Sequence, residues 1–389
     1  MTAWQAFKCV ARGIFLDKGP FMPAVVGIVV YCFFYPLPYA PQNVRDLPVI
    51  VADYDASPMS RQLGRDLDAT EAVKVVGTTR RVEDAIPKLQ SGEIGGIVAV
   101  PPNFYRDVLR GTPTGVTVMG DGAYIVVDGT ILAAAVPVIA ETVAPALGAR
   151  LVRADVPPAA VLHAARAAPP LVKQPLFNTV AGFDSYVVPA STGLIVHQIY
   201  ILAMCILIGT WVERGAWEIA PGGRLRARAF VGMLAGFWVV VFAGLMFWIG
   251  FVFWYQDLPR AANLPGAIAF GALYSLAVVA LGVALGCWIG ERERAAQIIG
   301  GISIPLLFLS GFAFPVESLS RPLVWLSQAF PTTPGIQGFL KLNQMGASWA
   351  EVRPQFENLL ALVVFYLALA WWAARWRARG PRVAPAPPA

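Results

Sequence analysis

Asp53 and Asp55 stand where a β-branched run ends, in the stretch PVIVADYDASPMS from Pro48 to Ser60. An aspartate at the carboxyl end of a strand, with a second acid two residues on, is one way to present a phosphoryl-transfer nucleophile. One carboxylate would attack, the other would handle a proton, and a further acid would help to hold magnesium. Thr78 or Thr79, Lys88, and the acids Asp121 and Asp128 of GDGAYIVVD would complete such a set. The same residues also have a reading without catalysis. Ser57 can cap a helix N-terminus, Pro58 loses nothing at the first helical position, and Asp53 and Asp55 suit the turn and the positive helix end. GDG is then a turn after a strand. Pro58 directly after Ser57 favours this second reading.

The elements around the motif alternate. The pattern predicts strand Val49–Asp53, helix Pro58–Thr70, strand Val73–Val76, helix Val82–Leu89, strand Ile94–Val100, helix Asn103–Leu109 and strand Gly115–Met119. Strands alternating with helices imply a small α/β layer structure. The Ala-rich stretch that follows carries no charge from Gly129 to Ala140 and has the breaks Pro137 and Pro145. It reads as a helix packed on this domain, with a membrane span as the alternative.

Outside that region the chain changes character. Of 389 residues 57% are hydrophobic and only 14% charged, with 12 Trp and 22 Phe, which excludes an ordinary soluble protein. The expected class is an α-helical polytopic membrane protein with six transmembrane helices and an inserted extracytoplasmic α/β domain. Residues 1–18 form a cytoplasmic N-terminus, 19–40 the first span and 41–188 the α/β domain. Residues 189–375 form a five-helix domain with spans at about 189–212, 229–255, 264–290, 298–314 and 358–375, and residues 376–389 a cytoplasmic tail. The first run is too long, and PYA too poor a cleavage site, for a removed signal peptide, so it reads as an uncleaved anchor. Cys9, Cys32, Cys205 and Cys287 lie in or beside apolar runs and imply no disulfide framework.

The net charge of +6 is an orientation signal. Lys8, Arg12, Lys18, Arg214, Arg224, Arg226, Arg228, Arg292, Arg294, Arg375, Arg377, Arg379 and Arg382 fall on the cytoplasmic side of this topology. The short outer loops carry only Arg260, Arg321, Lys341 and Arg353. This is the positive-inside pattern, and it removes the reason to expect a nucleic-acid partner. It also argues against an extra span in the Ala-rich stretch, which would invert everything after it.

Between the second and third spans lies GTWVERGAWEIAPGGRLRARAF, Gly209–Phe230. Here the sequence resembles the membrane subunits of ABC exporters of the ABC-2 type, in which a segment like Glu-x-Gly-Thr-x-Glu followed by Pro precedes the third span. The match runs Glu213, Arg214, Gly215, Ala216, Trp217, Glu218 and then Pro221, with Ala216 in place of Thr. The DYDASPMSRQL stretch, the LFNTVAGFDSYVVPA lead-in (Leu176–Ala190) and SGFAFPVESLSRPLVWLSQAFPTTPGIQGF (Ser310–Phe339) extend the resemblance over nearly the whole chain.

The resemblance implies a permease of the bacterial inner membrane working as a dimer, with a second copy of itself or with a sister permease, and the charge pattern places both termini in the cytoplasm. The resemblance also implies separate ATPase subunits docked on the cytoplasmic face, while the size and position of the outer domain suit it either to gate release or to meet a periplasmic adaptor. No G-x-x-x-x-G-K-[ST] occurs, so ATP and magnesium belong to the partner, and the chain itself is expected to bind no cofactor or metal and to have no catalytic residue. Glu213, Arg214, Gly215, Glu218 and Arg224 are the candidates for ATPase coupling, with ERER, Glu291–Arg294, as a second contact. His197 and Gln198, polar groups inside a span, and Phe308 and Phe312, with Phe314 and Trp325, near the outer mouth, are candidates for a path taken by drug-like compounds or lipids. Gly282, Gly286 and Gly290 have the spacing for close helix approach, within the chain or between copies. The rival functions are a membrane-anchored phosphohydrolase of the haloacid-dehalogenase type, using Asp53, and a sensor or scaffold without an ATPase.

Overall fold

The computed structural model describes residues 1–39, 44–121, 125–153, 182, 184–215, 217–220, 223–258, 262–312 and 316–379. Ala216, Pro221, Arg260, Phe314, Arg382, residues 176–181 and 183 of the Leu176–Ala190 lead-in and the tail from residue 380 lie outside these. The chain is mostly helical, with a small sheet, and divides into two compact units. One comprises Met1–Gln42 with Pro175–Ala389, the other Asn43–Gln174.

The first unit opens with α1, Ala3–Leu16, whose N-terminus is closed by a capping box between Thr2 and Gln5. Asp17 then caps the next helix through the Gly19 N–H, and the axis turns by 75° into α2, Lys18–Phe34, which contains a π-helical stretch at Met22–Gly27. The N-terminal segment is therefore a helix and not a tail. In the second unit, β1 (Leu47–Asp53) leads into α3 (Pro58–Asp68), β2 (Val73–Thr79), α4 (Val82–Gln90), β3 (Gly96–Val100), α5 (Phe104–Arg110), β4 (Thr117–Gly120) and α6 (Ile125–Arg153). The sheet order is β2-β1-β3-β4, parallel except for β4.

Strand alternation explains how this sheet is covered. Val49 and Val51 face a cluster with Leu63, Leu67, Phe104 and Ile131, so α3, α5 and α6 cover one side. Ile50 and Ala52 face Ala85 of α4 on the other. α6 is long and apolar enough to be a candidate span over Val126–Ala146, yet one stripe of it is committed to the sheet. Ile131 and Ala135 are buried there, and its Thr142 hydroxyl donates to Asp66 of α3 at 3.2 Å.

The rest of the first unit is a helical bundle: α7 (Asp184–Glu213), α8 (Ala227–Tyr255, with a π-helical turn at Trp248–Val252), α9 (Leu264–Ile289), α10 (Arg292–Leu309), α11 (Arg321–Gln328), α12 (Thr332–Asn343) and α13 (Trp349–Arg379). By length and composition the described residues hold five candidate spans, or six if α1 and α2 count as one broken span. That set includes α6 and omits α10.

Three expectations change in detail. The span expected at 298–314 is a helix that starts at Arg292, because a carboxylate from another helix caps it there, and that ends at Leu309 before Gly311 takes a left-handed φ of 80°. The helix of the last span begins at Trp349, well before residue 358, because Glu351 closes its first turn by accepting from Ser348, and it runs on through Pro354. Between Pro315 and Gln355, Pro-rich pieces such as RPLVWLSQAF read from the sequence as short interfacial helices rather than a further span, and the structure agrees only in part. α11 exposes Leu323, Trp325 and Leu326, whereas α12 buries Thr332–Ile336, Gly338, Phe339 and Leu342 within the bundle. Glycines make that depth possible: a Cβ at Gly338 would collide with the Phe270 ring of α9.

Candidate functional site

The Asp53 turn is closed by its own carboxylates. Asp53 Oδ1 accepts from the Asp55 and Ala56 N–H groups at 3.0 and 2.8 Å, and Oδ2 accepts from the Ser60 hydroxyl at 2.7 Å. Ser57 and Ser60 form the capping box of α3. Asp55 Oδ2 accepts from the Tyr105 N–H at 3.0 Å, at the start of α5. Ala56 is held at a left-handed φ of 50°, clamped by Asp53 on its N–H and by the Arg61 guanidinium on its carbonyl. Nucleophilic attack by Asp53 would require it to release this turn. Of the remaining phosphatase candidates, Thr78 and Thr79 line a cavity of about 640 Å³ with Asp53, where Thr79 donates to Asp84 at 3.1 Å, whereas Asp128 abuts Gly120 at the far edge of the sheet. The capping reading accounts for both acids.

The Glu213 region is built differently. α7 ends at Glu213, and Gly215, at φ 66°, provides the left-handed residue that stops it. The next apolar helix along this face, α10, starts with Glu291 as its N-cap residue but without a side-chain cap bond of its own. Glu213 supplies it. Its Oε1 accepts from the Arg292 N–H at 2.8 Å and its Oε2 from Arg292 Nε at 2.9 Å. The carboxylate thus satisfies an orphan N–H, meets the positive end of the helix dipole and pairs with a guanidinium. The approach is close, since a Cβ on Gly209 would lie 2.9 Å from the Arg292 nitrogen.

The other candidates tie further elements to this junction. Arg214 pairs with Asp17, between α1 and α2, at 3.2 Å. Glu218 Oε2 accepts from the Cys9 thiol of α1 at 3.0 Å, and burial, reinforced by that carboxylate, pushes the Cys9 pKa up to about 12. Arg224 is exposed. At the same end Arg377 of α13 donates to the Cys287 and Trp288 carbonyls at 2.9 and 3.3 Å, satisfying orphan acceptors of α9, and leaves no room for a Cβ on Gly290. Of these partners only the Glu291–Arg294 run was singled out as a contact by the sequence. Asp17 carried a signal, an acid just before Gly-Pro at a helix start, whereas Cys9 and Arg377 carried none for these contacts.

Within the bundle His197 is buried, and neither ring nitrogen finds a partner among the described residues; Gln198 Nε2 is likewise unpartnered. Phe308 is exposed, while Phe312 stacks on Tyr186 with centroids 6.1 Å apart. Gly282 and Gly286 are accounted for within the chain: a Cβ on either would press into Met204 or Ile208 of α7, and Gly290, at φ 68°, ends α9.

A family model described as ABC-2 family transporter protein matches residues 21–372, almost the entire chain. The chain belongs to the ABC-2 transporter family. No curated protein matches it. As an ABC-2 family protein it is a multi-pass membrane component of a transporter, and the family implies association with an ABC ATPase component. The gathering of helix ends around Glu213 is then the part of this ABC-2 protein in which a cluster of charges joins distant helices.

Proposed function

We propose that this chain is the permease subunit of an ATP-driven exporter in the bacterial inner membrane, with both termini cytoplasmic, moving hydrophobic or amphipathic molecules outward. The match to the ABC-2 family over residues 21–372 carries the reading. Its six spans are α2, α7, α8, α9, α10 and α13. α6 stays on the sheet, and the Asn43–Gln174 unit lies outside the cytoplasm, where it meets an adaptor or gates release. The positive-inside pattern supports this choice, because a crossing by α6 would carry Arg214, Arg224, Arg226 and Arg228 to the outer side. The committed face of α6 on the sheet supports it as well.

ATP and magnesium bind a separate ATPase, and a second permease copy completes the transporter. Glu213, Arg214, Gly215, Glu218 and Arg224 form the coupling surface. A displacement of this turn would pull α1 through Glu218 and Cys9, the α1–α2 bend through Arg214 and Asp17, and α10 through Glu213 and Arg292. His197 and Gln198 line the substrate path, consistent with unsatisfied polar groups deep in an apolar bundle, and Phe308 and Phe312 lie toward its outer end.

The test is reconstitution of the full chain with its ATPase in proteoliposomes. ATP-dependent accumulation of an amphipathic dye is expected, with Arg224→Glu uncoupling hydrolysis from transport and His197→Ala lowering transport while the ATPase still binds. Absence of any ATPase complex, or transport indifferent to ATP, would overturn the proposal.

A further inference from the structure

The groove between α1 and the end of α7 carries charge that the protein does not use. It has a volume of about 1070 Å³, and Lys8, Arg12 and Lys18 line it together with the apolar side chains of Leu16, Leu207 and Trp211. Arg214, Asp17 and Glu218 line it too, but these are committed. Asp17 accepts from Arg214 at 3.2 Å and from the Gly19 N–H at 3.0 Å, and Glu218 accepts from the Cys9 thiol. Lys8, Arg12 and Lys18 have no carboxylate partner among the described residues; Lys8 lies over the Trp4 ring, 5.0 Å from its centroid.

The surroundings are amphiphilic. α1 buries Ala6, Val10 and Ile14 on one stripe and exposes Trp4, Phe15 and Leu16 beside the groove, and it lies at 75° to α2. An amphipathic helix with aromatic and cationic side chains, set at a steep angle to a span, is the form of an interfacial segment.

We propose that this groove holds the phosphate headgroup of an anionic phospholipid, gripped by Lys8, Arg12 and Lys18, with the glycerol and first methylenes against the exposed Leu16. Basic pockets beside membrane helices recognise such headgroups by charge, and the apolar wall selects a lipid over a free anion. An acidic surface of a protein partner would match the cations but not the exposed Trp4, Phe15 and Leu16 at the rim. The inference rests on the chain being a membrane protein and not on export or on which leaflet the groove faces.

The full chain, purified in detergent, is exchanged into nanodiscs of phosphatidylglycerol and phosphatidylcholine, re-extracted, and its retained lipid is counted by mass spectrometry. Retention of phosphatidylglycerol over phosphatidylcholine by about twenty-fivefold is expected, since each of the three cations contributes about fivefold and the Glu218 carboxylate, bonded among the described residues only to a neutral thiol, offsets one of them. The Lys8→Gln, Arg12→Gln, Lys18→Gln variant should fall to the phosphatidylcholine level, and the charge-keeping Lys8→Arg, Arg12→Lys, Lys18→Arg variant should not. If the glutamine variant does not fold, the wild-type preference must collapse in 1 M NaCl. Equal retention of both lipids, preference unchanged in the folded glutamine variant or in salt, or displacement of the lipid by inorganic phosphate would each overturn the proposal. The last outcome would mark a free-anion site, and no lipid retained at all would leave the groove to a protein partner.

Discussion

The Asp53 turn and the Glu213 junction start from similar material, acids clustered where a regular element ends, and they are built on opposite plans. At the first turn, the Asp53 carboxylate is consumed within seven residues, by backbone N–H groups and Ser60. At the second, the Glu213 carboxylate crosses 79 positions of sequence to cap and pair the start of another helix. A local cap holds one turn in shape, whereas a long-range cap makes two helices move together. Acid spacing alone does not separate a catalytic motif from a cap or from a tie between helices; the partners of the carboxylate do.

The largest expected effect is at the long-range junction. Gly209→Leu would drive a side chain into the backbone at Arg292 and should cost about 3 kcal/mol, read as a lower melting temperature in detergent; an unchanged melting point would mean that α7 and α10 do not meet as described. Glu213→Ala should come next. It removes a helix cap and an ion pair whose two side chains are half exposed, so about 1–2 kcal/mol is expected. Arg292→Ala should cost less, because the backbone N–H still meets Glu213. A larger loss from Arg292→Ala would reverse the roles assigned here.

At the local turn, Asp53→Asn keeps the shape but weakens the charge-assisted bonds, and a loss of about 1 kcal/mol is expected in the stability of this unit, measured by limited proteolysis of the full chain. Neither wild type nor variant should hydrolyse a phosphomonoester in the presence of magnesium. Activity that vanishes in Asp53→Asn would break the comparison. The smallest effect is at Ala56, where glycine relieves the left-handed backbone at the cost of unfolded-chain entropy. Ala56→Gly should therefore lie within about 1 kcal/mol of wild type, on the stabilising side.

Much of the second unit was legible because its signals are local. Alternating β-branched residues, Ser57-Pro58 at a helix start and short connections foretold β1, α3, β2, α4 and β3 in order, with boundaries displaced by a few residues. The apolar runs of α7, α8 and α9 were equally plain, since each is long, uncharged and bounded by charge or by glycine. α10 starts about six residues earlier in the chain than the span expected there, because its first turn is charged and its cap comes from Glu213. α12 lies in the Pro315–Gln355 region, whose Pro-rich pieces read as short interfacial helices. Its burial depends on Phe270 and Tyr274 of α9 fitting over the glycines. The coupling candidates were found by resemblance, and their tertiary partners Asp17 and Cys9 were not.

Composition and hydropathy by themselves determined that this is a mostly helical membrane protein with a small sheet, because apolar length and strand-helix periodicity are properties of neighbouring residues. Tertiary structure alone decided that Asp53 is a cap, that Glu213 holds Arg292, that Arg377 closes α9 and that Gly282 and Gly286 serve packing within the chain. Those facts depend on hydrogen bonds and van der Waals contacts, which act over a few ångströms in space, and no run of adjacent residues encodes which distant segment will arrive within that range.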